Sequence, residues 1–437
     1  MMRKSNGGLV AVLATALAIT AACGGGSSDP IGTAGAGQDS SGAGGGGQVT
    51  LEFAQWWEPE LPDGALRGVM DDFEKKNPTI KVKLLSGPYA STKEQMVAGA
   101  ASGTMSDVVG LDGAWVSDFV KQGSLADVSE QMKDAKFDES QLAGQVKIGD
   151  VAYMIPVVNF IYPMFVNTDL LAKAGVKAPP TNRTEFADAA AKLTALGNNT
   201  TGWILPLSPE APNGIQNDVM SWVWASGGSM LSGGKPDLGN AGVKDAANYI
   251  KSLYDAKVIA PGSFTMKEQD KVEEFTNGRV GMMIDSPAHV TMIREKNPDL
   301  KFTLTAIPAA DGYTGKRGIP YASWGIGISN STAHKAEAFK LISYLMSSEV
   351  NSKLSTLANA FPGNTTSKPD FTGKDDLLKT AFKVYQDGKP TNEFTGLPVA
   401  EDLMRKFDEQ YQLALEGDQS VDDALAKAQQ AWAPSFR

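Results

Sequence analysis

Between residues 49 and 53 apolar and polar side chains alternate, which predicts a β-strand. After the turn-forming residues 59–64, Leu66, Val69, Met70 and Phe73 recur at the spacing of one helix face, and Asn77-Pro78 ends the run. Residues 80–85 return to a strand pattern. A helix is expected over about 91–101, a strand over 107–111 and a helix around 115–121. Strands that alternate with helices predict an α/β architecture with a parallel sheet covered on both faces. Ligands of such sheets bind beyond the carboxyl ends of the strands. Two of the predicted strand ends run into Gln55-Trp56-Trp57-Glu58 and Asp112-Gly113-Ala114-Trp115, aromatic rings beside a carboxylate.

A second unit begins near Phe160, inside an apolar strand pattern over 155–165. A helix is predicted over 181–196, with Asn182 and Glu185 spaced as a capping box. Gly227-Gly228 and Gly233-Gly234 end a helix that contains Trp222 and Trp224. Further helices are expected at 243–255 and 267–277, and strands at 280–284, 302–307 and 325–329. Phe339, Ile342, Leu345 and Met346 mark one late helix face, and Leu403, Phe407, Tyr411 and Leu415 another. No segment repeats with a period of 20–50 residues.

The 437 residues, 42% apolar and 21% charged, hold enough apolar material for two cores, since single cores rarely exceed roughly 250–300 residues. A lone cysteine excludes a disulfide framework and a thiolate zinc cluster, and two histidines, His289 and His334, exclude a multi-histidine metal site. No metal or cofactor is expected. A net charge of −10 without a basic cluster argues against a nucleic-acid groove. Past residue 22 no apolar run approaches the ~20 residues that span a bilayer.

The first residues set the expected address. Arg3 and Lys4 precede an apolar stretch at 9–22, which ends in Ile19-Thr20-Ala21-Ala22-Cys23. Small residues before a lone cysteine resemble the lipobox of bacterial lipoproteins, although Thr20 stands where a leucine is usual. The resemblance implies a signal peptide over 1–22, cleavage before Cys23 and lipidation of its thiol, anchoring the chain at the extracytoplasmic face of the cell membrane. Loss of Arg3 and Lys4 would take the net charge from −10 to −12. Residues 24–48 hold 11 glycines in 25 positions, a composition that behaves as a flexible tether with a reach on the order of 25–30 Å.

Several strings in the body resemble family 1 extracellular solute-binding proteins of ABC importers, the group that includes maltose-binding proteins. Val166-Asn167-Thr168-Asp169-Leu170-Leu171, then Ala174-Gly175-Val176 and Pro179-Pro180-Thr181, is similar to the family's "YNxDLLxxAGxxxPPxT" segment. Phe275-Thr276-Asn277-Gly278-Arg279 through Met283 is similar to "FxNGxxAMM", and 336–346 and 417–425 resemble two later helix motifs. Where many members carry a sugar-stacking tryptophan after Pro287, this chain has Ala288 and His289. The resemblance implies a two-lobed periplasmic-binding-protein fold of type II that closes on its ligand by hinge bending. Carried onto this chain, the first lobe would hold 49–157 and 288–320, and the second 161–284 and 322–437. Crossings would fall at 157–160, 285–287 and 319–321. It also implies a carbohydrate ligand, permease partners and a monomer without catalytic activity.

A sugar pocket combines hydrogen-bonding side chains with aromatic rings for the C–H faces. Adjacent residues beyond a strand point oppositely, so one of Trp56 and Trp57 should face the ligand, and Trp57 with Glu58 is favoured. Asp112, beside Trp115, either accepts sugar hydroxyls or caps the following helix. Asn159 and Asp285 fall in the first and second crossings. Trp222 and Trp224 lie ~200° apart on their helix, so they cannot share a pocket; Trp222 is the candidate, with core packing as its alternative. Tyr321 and Trp324 flank the third crossing, and Trp324 is the strongest aromatic candidate. His289, at the second crossing, is a further ligand contact. A lipid-anchored glycosidase and a binder of a glycerol phosphodiester are the alternatives. Against an enzyme, the sequence has no nucleophile elbow, no phosphate-binding loop and no dinucleotide fingerprint.

Overall fold

The computed structural model describes residues 48–371 and 376–436. The expected leader, Cys23 and the tether up to residue 47 lie outside the described residues. The body opens with β1 (Val49–Gln55), β2 (Ile80–Ser86) and β3 (Val108–Leu111), β1 pairing in parallel with the other two. The helix Ala65–Lys76 joins β1 to β2 and buries Leu66, Val69, Met70 and Phe73, the face that the spacing predicts. Asn77 closes it by donating from its side chain to the Phe73 carbonyl at 3.0 Å, and Pro78 prevents continuation.

Eleven further strands follow. They are β4 (Val146–Ile148), β5 (Val151–Ile161), β6 (Met164–Asn167), β7 (Thr201–Trp203), β8 (Leu231–Ser232), β9 (Lys235–Pro236), β10 (Val280–Ile284), β11 (Phe302–Thr305), β12 (Gly318–Ile328), β13 (Phe361–Pro362) and β14 (Lys389–Thr391). An eight-stranded sheet runs β13-β5-β12-β3-β1-β2, with β14 on β12 and β4 on β5. A four-stranded sheet runs β11-β6-β10-β7, and β8 and β9 form a separate hairpin. All five β10 positions are buried, as expected of a strand covered on both faces. Late in the chain the helices Ala400–Glu416 and Val421–Trp432 pack on each other and on the helix Ala241–Asp255.

The pairing differs from the lobe division expected from sequence. Residues 288–320 were assigned to the first lobe, but β11 adds to β6 in the small sheet. Residues 322–437 were assigned to the second, but β12 lies between β3 and β5 in the large sheet. The helices Lys335–Leu345 and Ser348–Ala358 pack there too. The expected crossings at 157–160 and 319–321 lie inside β5 and β12, where Tyr321 pairs with Ile161 and Ser323 with Asn159. The chain instead passes between sheets at Tyr162-Pro163 and again between β11 and β12. Pro163, without an N–H to give a ladder, splits the expected 155–165 strand into β5 and β6. At 285–287 the chain does not cross; the Asp285 N–H donates to the Pro163 carbonyl at 3.1 Å. Apolar periodicity marks a buried strand without saying which sheet buries it.

Candidate functional site

A cavity of about 720 Å³ is lined from both sheets. From the large sheet come Trp56 beyond β1, Asp112 beyond β3, Phe160 on β5, and Ser323 and Trp324 on β12. From the other side come Pro206 beyond β7, Ser286 and His289 beyond β10, and the segment 210–218. Strand ends, the place where open α/β sheets take ligands, thus form part of the wall, and the helix Tyr89–Ser102 and the segment 210–218 form much of the rest.

Trp56 and Trp57 point oppositely, as consecutive residues leaving a strand should. Trp56 lines the cavity, its ring 5.2 Å from those of Tyr89 and Trp115. Trp57 is fully buried against Phe53 and stacks on Trp324 at 5.5 Å and 8°. The register of β12 shifts between Trp324 and Gly325, a bulge that turns a side chain away from the regular pleat. Trp324 packs edge-on against Phe160 at 4.9 Å and, like Glu60, lines the cavity. Glu60 is open to the cavity yet crowded by protein atoms of both walls. Burial pushes its carboxyl up to about 7, with Glu268 and Asp285 adding repulsion and His289 opposing.

Asp112, on the same cavity wall as Trp56, accepts from the Ala114 N–H at 2.8 Å and from the Tyr89 hydroxyl at 3.3 Å. Burial pushes it up to about 6, against the pull of the Ala114 N–H. Trp115 stands behind Trp56 and Tyr89 and donates to Glu401 at 2.9 Å, and Lys93 pairs with the same Glu401.

The far wall is built on a π-helical turn, Ile215–Val219, a rare conformation often found at functional sites. Gln216, Asn217 and Asp218 line the cavity from it. Beneath lies Lys271, fully buried, donating to the Ile284 carbonyl at 2.5 Å, 3.3 Å from Asp218 and 3.7 Å from Asp285. Burial raises Asp218 to about 7 although Lys271 opposes it. Burial would discharge Lys271, but Asp218 and Asp285 hold it protonated. His289 Nδ1 lies 2.9 Å from Asp285; burial works against its charge, yet Asp285 lifts it to about 9. Glu268, Asp285 and His289 bring one donor atom each within 4.8 Å of one another, close enough for a metal ion to bridge. The ammonium of Lys271 already supplies positive charge to that group.

A second cavity of about 280 Å³ adjoins the first and shares Asp112, Ala322 and Ser323 with it. Asn159 and Tyr321 line this smaller space, and Asn159 accepts from Ser323 at 2.7 Å.

Of the residues expected to touch ligand, Trp56, Asp112, Trp324 and His289 line the main cavity, and Asn159 and Tyr321 the second. Five others line neither. Trp57, Trp115 and Trp222 are at most 1% exposed, packed as core rings. Glu58 bonds Ser86 on the neighbouring strand instead. Asp285 is fully buried and acts behind the wall, holding His289 and Lys271. The sequence reading overlooked Glu60, Tyr89, Tyr162, Asp218, Glu268 and Lys271. Lys271 left one legible trace: it sits beside Val272 on a face that includes Phe275, and a lysine there needs a buried carboxylate.

Residues 58–352 match the family described as bacterial extracellular solute-binding proteins. The chain belongs to that family. A protein of Brucella abortus described as a binding protein is 29% identical over 390 residues, 87% of this chain and 92% of that one. The multiple sugar-binding protein of Streptococcus mutans is 21% identical over 323 residues, 70% of this chain and 73% of that one. An ABC transporter solute-binding protein of Thermotoga lettingae, bound to α-D-tagatose, superposes with a TM-score of 0.76 at 21% identity, covering 89% of this chain and 100% of that one. This solute-binding protein thus has the two-lobed fold of that structure, and its main cavity lies between the sheets of the two lobes.

Proposed function

We propose that this solute-binding protein captures a carbohydrate between its lobes and delivers it intact to an ABC-type permease. The observation that carries the reading is the cavity itself: ring faces of Trp56, Tyr89 and Trp324 beside Asp112, Asn217 and His289. Rings pack against sugar C–H faces while the polar groups bond hydroxyls. The tagatose-bound and multiple-sugar-binding relatives support the same ligand class. The first lobe is built on the eight-stranded sheet and the second on the four-stranded sheet with the C-terminal helices. The hinge comprises Tyr162-Pro163, the link between β11 and β12, and the run after β14. Cys23 carries the lipid that keeps the monomeric body at the extracytoplasmic face; Cys23→Ser should release it from membranes into the soluble fraction, and continued membrane association would defeat the anchor.

A thermal-shift screen of mono-, di- and oligosaccharides tests the central claim. A ligand at 100 times its Kd should stabilise the protein by about 2.7 kcal/mol. Scattering should then show a smaller radius of gyration, and chromatography should return the ligand unchanged. A product in that chromatogram would mean a glycosidase, and no sugar raising the melting temperature would remove the carbohydrate reading.

A further inference from the structure

The charge of the cavity is lopsided in a way that the carbohydrate reading does not require. Seven carboxylates line it against three lysines. Each of those lysines already has a carboxylate partner: Lys93 has Glu401, Lys267 has Glu210 at 2.5 Å, and Lys271 has Asp218 at 3.3 Å. His289 is held by Asp285. Glu60, Glu94, Asp112 and Glu268 remain without an ion pair among the described residues, although Lys271 and His289 lie near Glu268.

A neutral hydroxyl can fill a lone pair of such a carboxylate but leaves its charge uncompensated in a space partly shut off from water. An ammonium does both, and its hydrogen bonds to carboxylates are the stronger, charge-assisted kind. The other lining groups favour the same partner. Trp56, Tyr89 and Trp324 line the cavity, and the faces of such rings carry a negative quadrupole that attracts cations. Burial raises the carboxyls of Asp112 and Glu60 to about 6 and about 7, a desolvation cost that a cation beside them would offset.

We propose that the carbohydrate taken by this cavity bears a free ammonium: an amino sugar, alone or within an oligosaccharide, whose cation meets one or more of the lining carboxylates Glu60, Glu94, Asp112 and Glu268. The proposal rests on the carbohydrate reading and narrows it. A carboxylate on the sugar, or an acetyl group on its nitrogen, would remove the advantage.

Calorimetry on the wild-type protein tests this with matched probes. The amines are glucosamine, galactosamine, mannosamine and the glucosamine di- and trisaccharides. The controls are the N-acetylated and hydroxyl counterparts of each, together with spermidine, a polyamine without a sugar ring. At least one amino sugar should bind about tenfold or more tighter than both of its counterparts, the scale separating charged from neutral hydrogen bonds. The advantage should shrink as salt rises. In Asp112→Asn and Glu60→Gln the ratio of amine to hydroxyl affinity should fall toward one, and the wild-type comparison stands alone if either variant fails to fold. A hydroxyl or N-acetyl sugar that binds as well as its amine overturns the charge inference and leaves the carbohydrate reading intact. Spermidine bound with no sugar bound overturns both. No amino sugar bound, with neutral sugars bound, overturns the inference alone.

Discussion

Trp324 and Trp222 are both nearly or wholly buried, yet only Trp324 lines the cavity. Trp324 is 3% exposed, and that small fraction faces the cavity beside Glu60. Trp222 is 0% exposed and sits among Phe186, Trp203 and Tyr249, with ring centroids 4.9 to 5.5 Å away. Trp324→Ala should weaken ligand binding by at least about 2 kcal/mol, roughly thirtyfold. It should also lower stability, because its ring supports Trp57 and Phe160. Trp222→Ala should cost about 3–5 kcal/mol of stability, as core tryptophans do, with affinity changed less than about threefold. Denaturant melts and calorimetry on both variants separate the roles, and equal losses of affinity would show that the division is wrong. The same contrast explains what was legible at this scale. Trp56 and Asp112 could be found because a strand end has a known direction. Trp222 could not be placed, since a helix position gives an angle but not the neighbour it faces. Lys271 and Asp218 escaped notice because isolated charges in a sequence read as solvent-facing, and only the fold shows that they and Asp285 neutralise one another.

Most regular elements were legible from periodicity alone, β10 at Val280–Ile284 and the helix Ala65–Lys76 among them. Cap chemistry was legible too: Asn182 accepts from the Glu185 N–H at 2.9 Å, while Glu185 reaches back to Thr181 at 2.8 Å. Tertiary pairing was not, and β12 runs seven residues earlier than its apolar pattern suggests because β14 and β5 pair with its first half. The π-helical turn Ile215–Val219 was invisible, since no residue type demands that conformation. Its position depends instead on close backbone contact: a Cβ at Gly214 would lie 1.7 Å from the Pro206 carbonyl oxygen. Gly214→Ala must therefore displace the turn that carries Gln216, Asn217 and Asp218 into the cavity. We expect a lower melting temperature and binding weaker by about tenfold or more, about 1.4 kcal/mol. Gly68→Ala is the matched control, in a helix interior with nothing within 4 Å of the added methyl. It should stabilise by about 0.5–1 kcal/mol with affinity unchanged. A Gly214→Ala protein that binds like wild type would show that the turn is not a working wall of the site.

For the whole molecule, the consequence of gathering charges between two lobes is a stability that depends on pH in an unusual direction. Glu60 rises from 4.5 to about 7, and Asp112 and Asp218 from 3.8 to about 6 and about 7. His289 rises from 6.5 to about 9. For every one of these groups the folded protein holds its proton to higher pH than the unfolded chain does. Stability therefore falls with rising pH, between about 4 and 7 for the carboxyls and between about 6.5 and 9 for His289. Carboxylates held low by partners, such as Glu74 beside Arg67 and Lys81, act in the opposite sense, but only below their ordinary range. The melting temperature of the ligand-free protein should thus peak near about pH 4 and decline toward pH 9. Scanning calorimetry across that interval measures it, and His289→Gln should flatten the upper part. The profile also reads out lobe geometry. Glu60 lies just beyond β1 of the large sheet, whereas His289, Glu268 and Asp285, which perturb it, lie beside β10 of the small sheet. If the free protein swings open, Glu60 returns to water and the fall between pH 5 and 7 weakens to what Asp112 and Asp218 supply within their own walls. A decline that becomes steeper only when ligand is added would place the closed arrangement in the bound state. A melting temperature that rises from pH 6 to 8 would mean that these charges are not buried together in either state.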